Sequence, residues 1–337
     1  MELKENLSTL SALSAIGTIT DAKDKAAEIL GEYCEVSTLN TLSVLGEMKG
    51  DSDYTLLIDA HIDEVGFIVT HISENGFLTV QKCGGIDVRH LPSKTVTIHS
   101  KEKFTGIFCS VPPHLTKGDE IPENITDYKI DTMLGIKAKE LISVGDFVTY
   151  KASSADMLGG LLTGKSFDNR AGACVTLELA KRLKNRNLPI SVKFLLSDAE
   201  ELGLRGAVTS AYSIDADEAL VIDVSFGNAP DISIFESGKL GDGAMIGISP
   251  ILNRTISDKL ISLAKENQIK YQTEVMGGRT STNADVISVS RGGIPTGLIS
   301  IPLRNMHTDC EVIDINDIIS VCDILENYIM TGGVKND

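Results

Sequence analysis

Two adjacent glutamates, Glu200 and Glu201, leave the end of the apolar run Leu195-Leu196-Ser197-Asp198-Ala199 and stand before a glycine-broken turn, Leu202-Gly203-Leu204-Arg205-Gly206. Neighbouring residues leaving a strand point in different directions, so the two carboxylates cannot easily share one task. One can bind a cation while the other moves a proton. Read alone, a Glu-Glu pair in so acidic a chain is more simply a solvated turn. Four other junctions change that balance. His61 and Asp63 follow the buried run Tyr54-Thr-Leu-Leu-Ile-Asp-Ala60, and a neutral imidazole ligates metal when its other ring nitrogen donates to a carboxylate. A lone histidine there is more often packed or at the surface. Asp223 sits inside the apolar run Ala219 to Ser225, where a carboxylate is costly unless it is paired or metal-bound. Asp168 precedes a predicted helix and could be no more than a cap. His307 follows the apolar run Gly297 to Pro302. Two histidines and three carboxylates suit a pair of divalent ions, with one acid bridging and one more free as a base.

The elements that must carry these groups alternate. Residues 1 to 33 place Leu3, Leu7, Leu10 and Leu13, then Ala26, Ala27, Ile29 and Leu30, at helical spacing, predicting two amphipathic helices with Asp21 as a cap candidate for the second. Asn40 to Gly46 and Tyr54 to Ala60 read as strands. From His71 to Lys151 the texture changes to short alternating runs, among them Gly76 to Val80, Lys94 to His99, Thr105 to Cys109 and Asp146 to Tyr150, which predict a small β domain. His71, His90, His99 and His114 lie there without ligand spacing, and Lys117 to Lys129 reads as an exposed loop. Ala173 to Leu183, residues 251 to 268 and Asp314 to Met330 are predicted helices. Ile190 to Leu196, Ala219 to Ser225 and Gly297 to Pro302 are predicted buried strands, an α/β pattern in which ligands gather at the strands' carboxyl ends. The Gly277 to Asp285 loop is rich in Gly, Ser and Thr but lacks a phosphate-binding lysine pattern.

Composition sets the wider limits. A chain of 337 residues exceeds what one core usually serves, so two domains or one domain with a large insertion is expected. Lys plus Arg number 31 against 47 Asp plus Glu, a formal net charge of -16, and no basic run of five or more residues occurs. Nucleic acid and membrane are therefore excluded as expected partners. The six cysteines form no Cys-x-x-Cys pair, no continuous apolar run approaches the ~18 residues of a membrane span, and the N-terminus lacks a signal-peptide pattern. Together these predict a cytoplasmic protein with reduced thiols.

The runs DAHIDEVGF, SFDNRAG, AEELGLRGA, VIDVS and GLISIPLRNMHTDCEVID, in this order along nearly the whole chain, resemble the dinuclear aminopeptidases of metallopeptidase family 42. That family includes glutamyl aminopeptidases, the tetrahedral archaeal enzymes and members labelled endoglucanases. The resemblance implies an α/β fold: a mixed-sheet α/β/α zinc-peptidase domain of phosphorylase/hydrolase-like type over residues 1–70 and 156–337, with a small PDZ-like β dimerisation domain inserted at 71–155. It implies two divalent metal ions per subunit, zinc or cobalt. Asp168 would bridge them, Glu201 and His307 completing one ion and His61 and Asp223 the other. Glu200 would be the general base and Asp63 would orient His61. The expected partners are short peptides, cleaved at the N-terminal residue, and further copies of the chain, with dimers closing into a dodecamer.

Some positions depart from the family pattern. Ser14-Ala15-Ile16-Gly17 stands where a Ser-Gly-x-Glu turn is usual, Asn40 to Gly46 only loosely matches an Asp-x-x-Gly-Asn strand, Arg304-Asn305 replaces Arg-Tyr, and Thr282-Asn283-Ala284 replaces Thr-Asp-Ala. None removes an implied metal ligand, but all bear on substrate choice, as does Arg279. Two other classes compete. A glycosidase needs two carboxylates flanking a sugar bond, a poor fit for adjacent Glu200 and Glu201; a non-catalytic metal-binding assembly protein would not need the extra base.

Overall fold

The structure is a computed structural model, described over residues 2–115, 124–230 and 232–334. Its first helices, α1 (Glu2–Ala12) and α2 (Asp21–Gly31), bury Leu7, Leu10, Ala26 and Leu30 in one stripe each, as their spacing requires. Asp21 is not the cap of α2 but its first residue, paired with Lys103. Strands β1 (Glu35–Thr38), β2 (Val44–Met48) and β3 (Thr55–His61) follow. The second begins later than the apolar pattern predicts because Leu42 has a positive φ and turns the chain there.

The chain then leaves this sheet for β4 (Gly66–Ile72), β5 (Leu78–Cys83), β6 (Thr95–His99), β7 (Lys103–Phe108), β8 (Ile130–Asp131) and β9 (Phe147–Tyr150). These six strands close into a barrel of order β4-β5-β8-β7-β6-β9. Closure removes the exposed edges that short strands would otherwise present. Its core is separate from the main one, with Phe67 packed edge-on to Phe108 and Tyr150 at ring separations of 5.1 and 5.8 Å. The barrel begins at Gly66, since β4 must pair with both β5 and β9. Part of the Lys117 to Lys129 stretch lies outside the described residues. A short helix, α3 (Ala138–Leu141), precedes β9.

Beyond β10 (Ala155–Asp156) and β11 (Leu161–Gly164), the chain returns through α4 (Phe167–Leu183), β12 (Ser191–Ser197), α5 (Arg205–Ser213), β13 (Glu218–Phe226), β14 (Ala244–Ile248), α6 (Arg254–Glu266), β15 (Tyr271–Val275), α7 (Ala284–Ile287), β16 (Thr296–Leu303), β17 (Glu311–Asp314) and α8 (Ile315–Met330). The main sheet has the order β1-β2-β12-β3-β13-β16-β14-β15. Its four central strands, β12, β3, β13 and β16, run parallel. Both faces are covered, one by α1, α2, α4, α6 and α8 and the other by α5 and α7, which is why these strands are apolar throughout rather than alternating. Side-chain caps set the starts of two helices: Asn253 Oδ1 accepts from the Ile256 amide at 3.2 Å, and Asp314 Oδ1 from the Asn316 amide at 2.9 Å.

Candidate metal centre

Register in the parallel strands brings the acids and histidines together. Ser197 pairs with His61, and Val221 pairs with Asp59, so two residues further along Asp223 stands level with His61 on the same face. The β12, β3, β13 and β16 carboxyl ends open into one cavity of about 960 Å³, lined by His61, Asp168, Glu200, Glu201, Asp223 and His307 among others.

Asp168 lies at its centre. Its Oδ1 is 3.0 Å from His61 Nε2, and its Oδ2 is 3.2 Å from His307 Nε2. Glu201 Oε1 also approaches His307 Nε2 at 3.2 Å, and Asp223 Oδ1 lies 3.7 Å from His61 Nε2. Ligand atoms of His61, Asp168 and Glu201 fall within 4.8 Å of one another. Asp168 is not the helix cap. It and Asn169 have non-helical backbone angles, and Asn169 Oδ1 takes the capping role by accepting from the Gly172 amide at 2.9 Å. The Asp168 carboxylate is thereby left for the cavity.

The outer contacts orient these groups. His307 Nδ1 donates to the Gly85 carbonyl at 2.6 Å, which turns Nε2 toward two carboxylates. Gly85 belongs to the loop after β5, and a Cβ there would come within 3.2 Å of the imidazole. His61 Nδ1 faces Asp63 Oδ1 at 3.4 Å. Asp63 also accepts from the Glu200 amide at 3.0 Å and the Glu201 amide at 3.2 Å, so one carboxylate addresses the imidazole and secures the turn carrying both glutamates. Gly206 lets that turn fold back, since a Cβ there would lie 2.2 Å from the Asp198 carbonyl oxygen.

Two further groups carry no distinct signal in the sequence. Glu311 accepts from the Asp168 amide at 3.1 Å and the His307 amide at 2.8 Å, tying two ligand-bearing loops together. It lies in the same run as His307, but in sequence it reads only as the start of a strand. Glu64, next to Asp63, accepts from Lys165, from Ser166 Oγ at 2.6 Å and from the Ala15 amide at 3.1 Å, with Arg170 Nη2 at 3.7 Å. All four side chains are buried. The histidines of the barrel stay apart from the centre: His99 is buried against Thr149, and His71, His90 and His114 are exposed.

Electrostatics mark the same place. Burial opposes charge on His307, yet Asp168 and Glu201 outweigh it and lift the ring to about 11. Burial likewise pushes Glu200 up to about 8 and Asp223 well above the usual carboxylate range. Carboxylates converging on two imidazole nitrogens make a site that needs positive charge, either ring protons or a bound cation. Nitrogen and carboxylate donors in this number fit borderline divalent ions.

The chain as a whole is similar to known proteins. A sequence profile of the family described as M42 glutamyl aminopeptidase matches residues 43–324. Glutamyl aminopeptidase of Lactococcus lactis subsp. cremoris is 26% identical over 345 residues, covering 98% of this chain and 96% of its own. Among solved structures, an aminopeptidase from the archaeon Desulfurococcus kamchatkensis superposes with a TM-score of 0.92 at 29% identity, over 100% of this chain and 99% of its own. The TET1 peptidase of Pyrococcus horikoshii, described as assembling into a tetrahedron or a large octahedral shell, gives 0.86 at 26% identity over 97% and 99%. With a match that spans most of the chain and takes in every one of the converging acids and histidines, this protein belongs to the M42 glutamyl aminopeptidase family.

Proposed function

We propose that the protein is a metal-dependent aminopeptidase working through two divalent ions, zinc or cobalt, held at the centre just described. The observation that carries the two-ion reading is Asp168: its two carboxylate oxygens face two different histidines, His61 and His307. Asp168 would bridge, with Glu201 and His307 on one side and His61 and Asp223 on the other. Divalent ions bound there supply Lewis acidity toward the scissile carbonyl and ease deprotonation of water.

The chain's own residues do the rest. Glu200, with its carboxyl pushed up by burial, takes the proton of the attacking water and returns it to the leaving amine. Asp63 holds the His61 ring and the Glu200 amide, so ligand and base keep a fixed spacing. Carboxylates around the centre, Glu200 and Asp223 among them, suit a free α-ammonium group and place the first peptide bond beside the ligands. A glycosidase reading is disfavoured because Glu201 is committed to His307 and Glu200 belongs to the same turn.

Residues 71–155 would act as a PDZ-like dimerisation unit in a larger closed assembly. Exposed apolar side chains on this unit, Met133, Ile136 and Val144, support that reading. The function is tested with a panel of amino-acid p-nitroanilides and their N-acetyl forms, with and without chelator, beside carboxymethyl-cellulose. Cleavage of free-amine substrates only, abolished by chelator, is expected. Equal hydrolysis of acetylated forms, or release of internal fragments from a longer peptide, would overturn it.

A further inference from the structure

The cavity that holds the converging ligands also contains a carboxylate that the reaction does not use. Glu274 lies on β15, and β14 separates that strand from β16. Its Oε1 accepts from Ser225 Oγ, and its Oε2 accepts from Ser300 Oγ at 3.1 Å. Ser225 is on β13 and Ser300 on β16, both buried. The Glu274 side chain therefore reaches inward over the sheet to the strands that carry the centre. Among the described residues, no lysine, arginine or histidine lies within ion-pair distance of it. Burial pushes its carboxyl upward, with the two serine hydroxyls as the only opposing influence. A desolvated carboxylate held by two neutral donors has acceptor capacity left over.

Its position is suited to a substrate side chain. Ser225 lies two residues beyond Asp223 on the same face of β13, a spacing of roughly 6 to 7 Å. That is comparable to the reach of a four-carbon stem ending in an ammonium group. The cavity is also lined by Phe226, Met245, Met276 and Met306. Apolar walls with an acid among them fit a side chain whose stem is hydrocarbon and whose tip is cationic. Arg279 also lines the cavity and would favour an acidic side chain, but it is exposed. A charge in water interacts about fourfold more weakly than one at the effective dielectric of a protein site.

We propose that Glu274 is the specificity-determining residue of this cavity, and that it selects peptides beginning with a basic residue, lysine or arginine. The inference rests on the aminopeptidase reading. Lysyl, arginyl, leucyl and glutamyl p-nitroanilides are compared as ratios of kcat/KM within each protein, so that partial loss of folded enzyme cancels. In the unaltered protein the basic substrates should exceed leucyl and glutamyl ones by at least about tenfold, and Glu274→Gln should bring the lysyl-to-leucyl ratio near unity. Glu274→Asp, which keeps the charge, should keep the preference on the basic side. A lysyl-to-leucyl ratio that is unchanged in Glu274→Gln overturns the proposal. So does a glutamyl preference that disappears in Arg279→Ala. Cleavage of other free-amine anilides without basic preference removes only this assignment, whereas cleavage of none removes the aminopeptidase reading with it.

Discussion

At the scale of single residues, the adjacent glutamates have separable consequences. Glu200→Gln keeps shape and size but cannot accept a proton, so turnover should fall at least about 10²-fold while the variant folds and retains metal. Asp168→Asn is different, because one of the two oxygens that face His61 and His307 becomes an amide donor. Elemental analysis should show both ions lost together from Asp168→Asn and neither lost from Glu200→Gln; full occupancy in the former would remove the bridging role. Asn283 explains one departure from the family pattern. Its amide donates to Asp59 and to Ser197 Oγ, each at 2.8 Å, so an aspartate there would set two buried carboxylates against each other.

At the scale of elements, the centre depends on junctions being tied to one another. The segment after β3 and the segment entering α4 are joined through Glu64, Lys165 and Arg170. Burial opposes ionisation of Glu64, but the Lys165 and Arg170 charges hold its carboxyl below the usual range. Lys165→Met leaves that carboxylate with a weaker partner and should cost about 3 to 5 kcal/mol in urea unfolding. It should also lower metal affinity, since Asp168 is on the same segment. A stability change under about 0.5 kcal/mol, the range of an ordinary surface change, would mean the network carries little.

A second element-scale effect is pH dependence. Asp317 on α8 accepts from the Gly241 amide at 2.8 Å and the Gly243 amide at 2.7 Å, yet burial pushes its carboxyl up to about 6. A folded-state value above the unfolded one means the native protein binds the proton more tightly. This contribution to stability is fully present below about pH 4 and is lost as pH rises through about 6, by at most about 3 kcal/mol. Asp317→Asn should flatten that part of the stability profile, and an unchanged slope between pH 4 and 6 would contradict the assignment.

For the whole molecule, the barrel and the α/β sheet have separate cores, but the barrel is not remote from the chemistry. The Gly85 carbonyl fixes the His307 ring, and Lys94 pairs with Asp309 at 2.6 Å in the loop after His307. Assembly and activity should therefore be partly linked. Met133→Glu and Ile136→Glu, both at exposed positions, should reduce particle size in light scattering without unfolding the subunit. An unchanged large particle would place the contacts elsewhere.

The acid and histidine positions, and the strands that end at them, were legible in the amino-acid order. A buried parallel strand must be locally apolar, and an acid at its end stands out against that background. His61, Asp63, Glu200, Glu201 and His307 lie at or just beyond the ends of such strands, Asp223 lies within one, and Asp168 opens a helix. The family resemblance, carried by short runs around them, gave each an expected role. What only the tertiary structure decided depends on pairings between distant segments. Glu274 becomes part of the cavity because β15 lies beside β14 and its side chain reaches Ser225 and Ser300. Glu311 acquires two backbone donors because β17 pairs with β11, just before the Asp168 segment. Closure of the β4 to β9 barrel likewise follows from long-range strand pairing. Local periodicity records which face of an element is apolar, but not which element will lie against it.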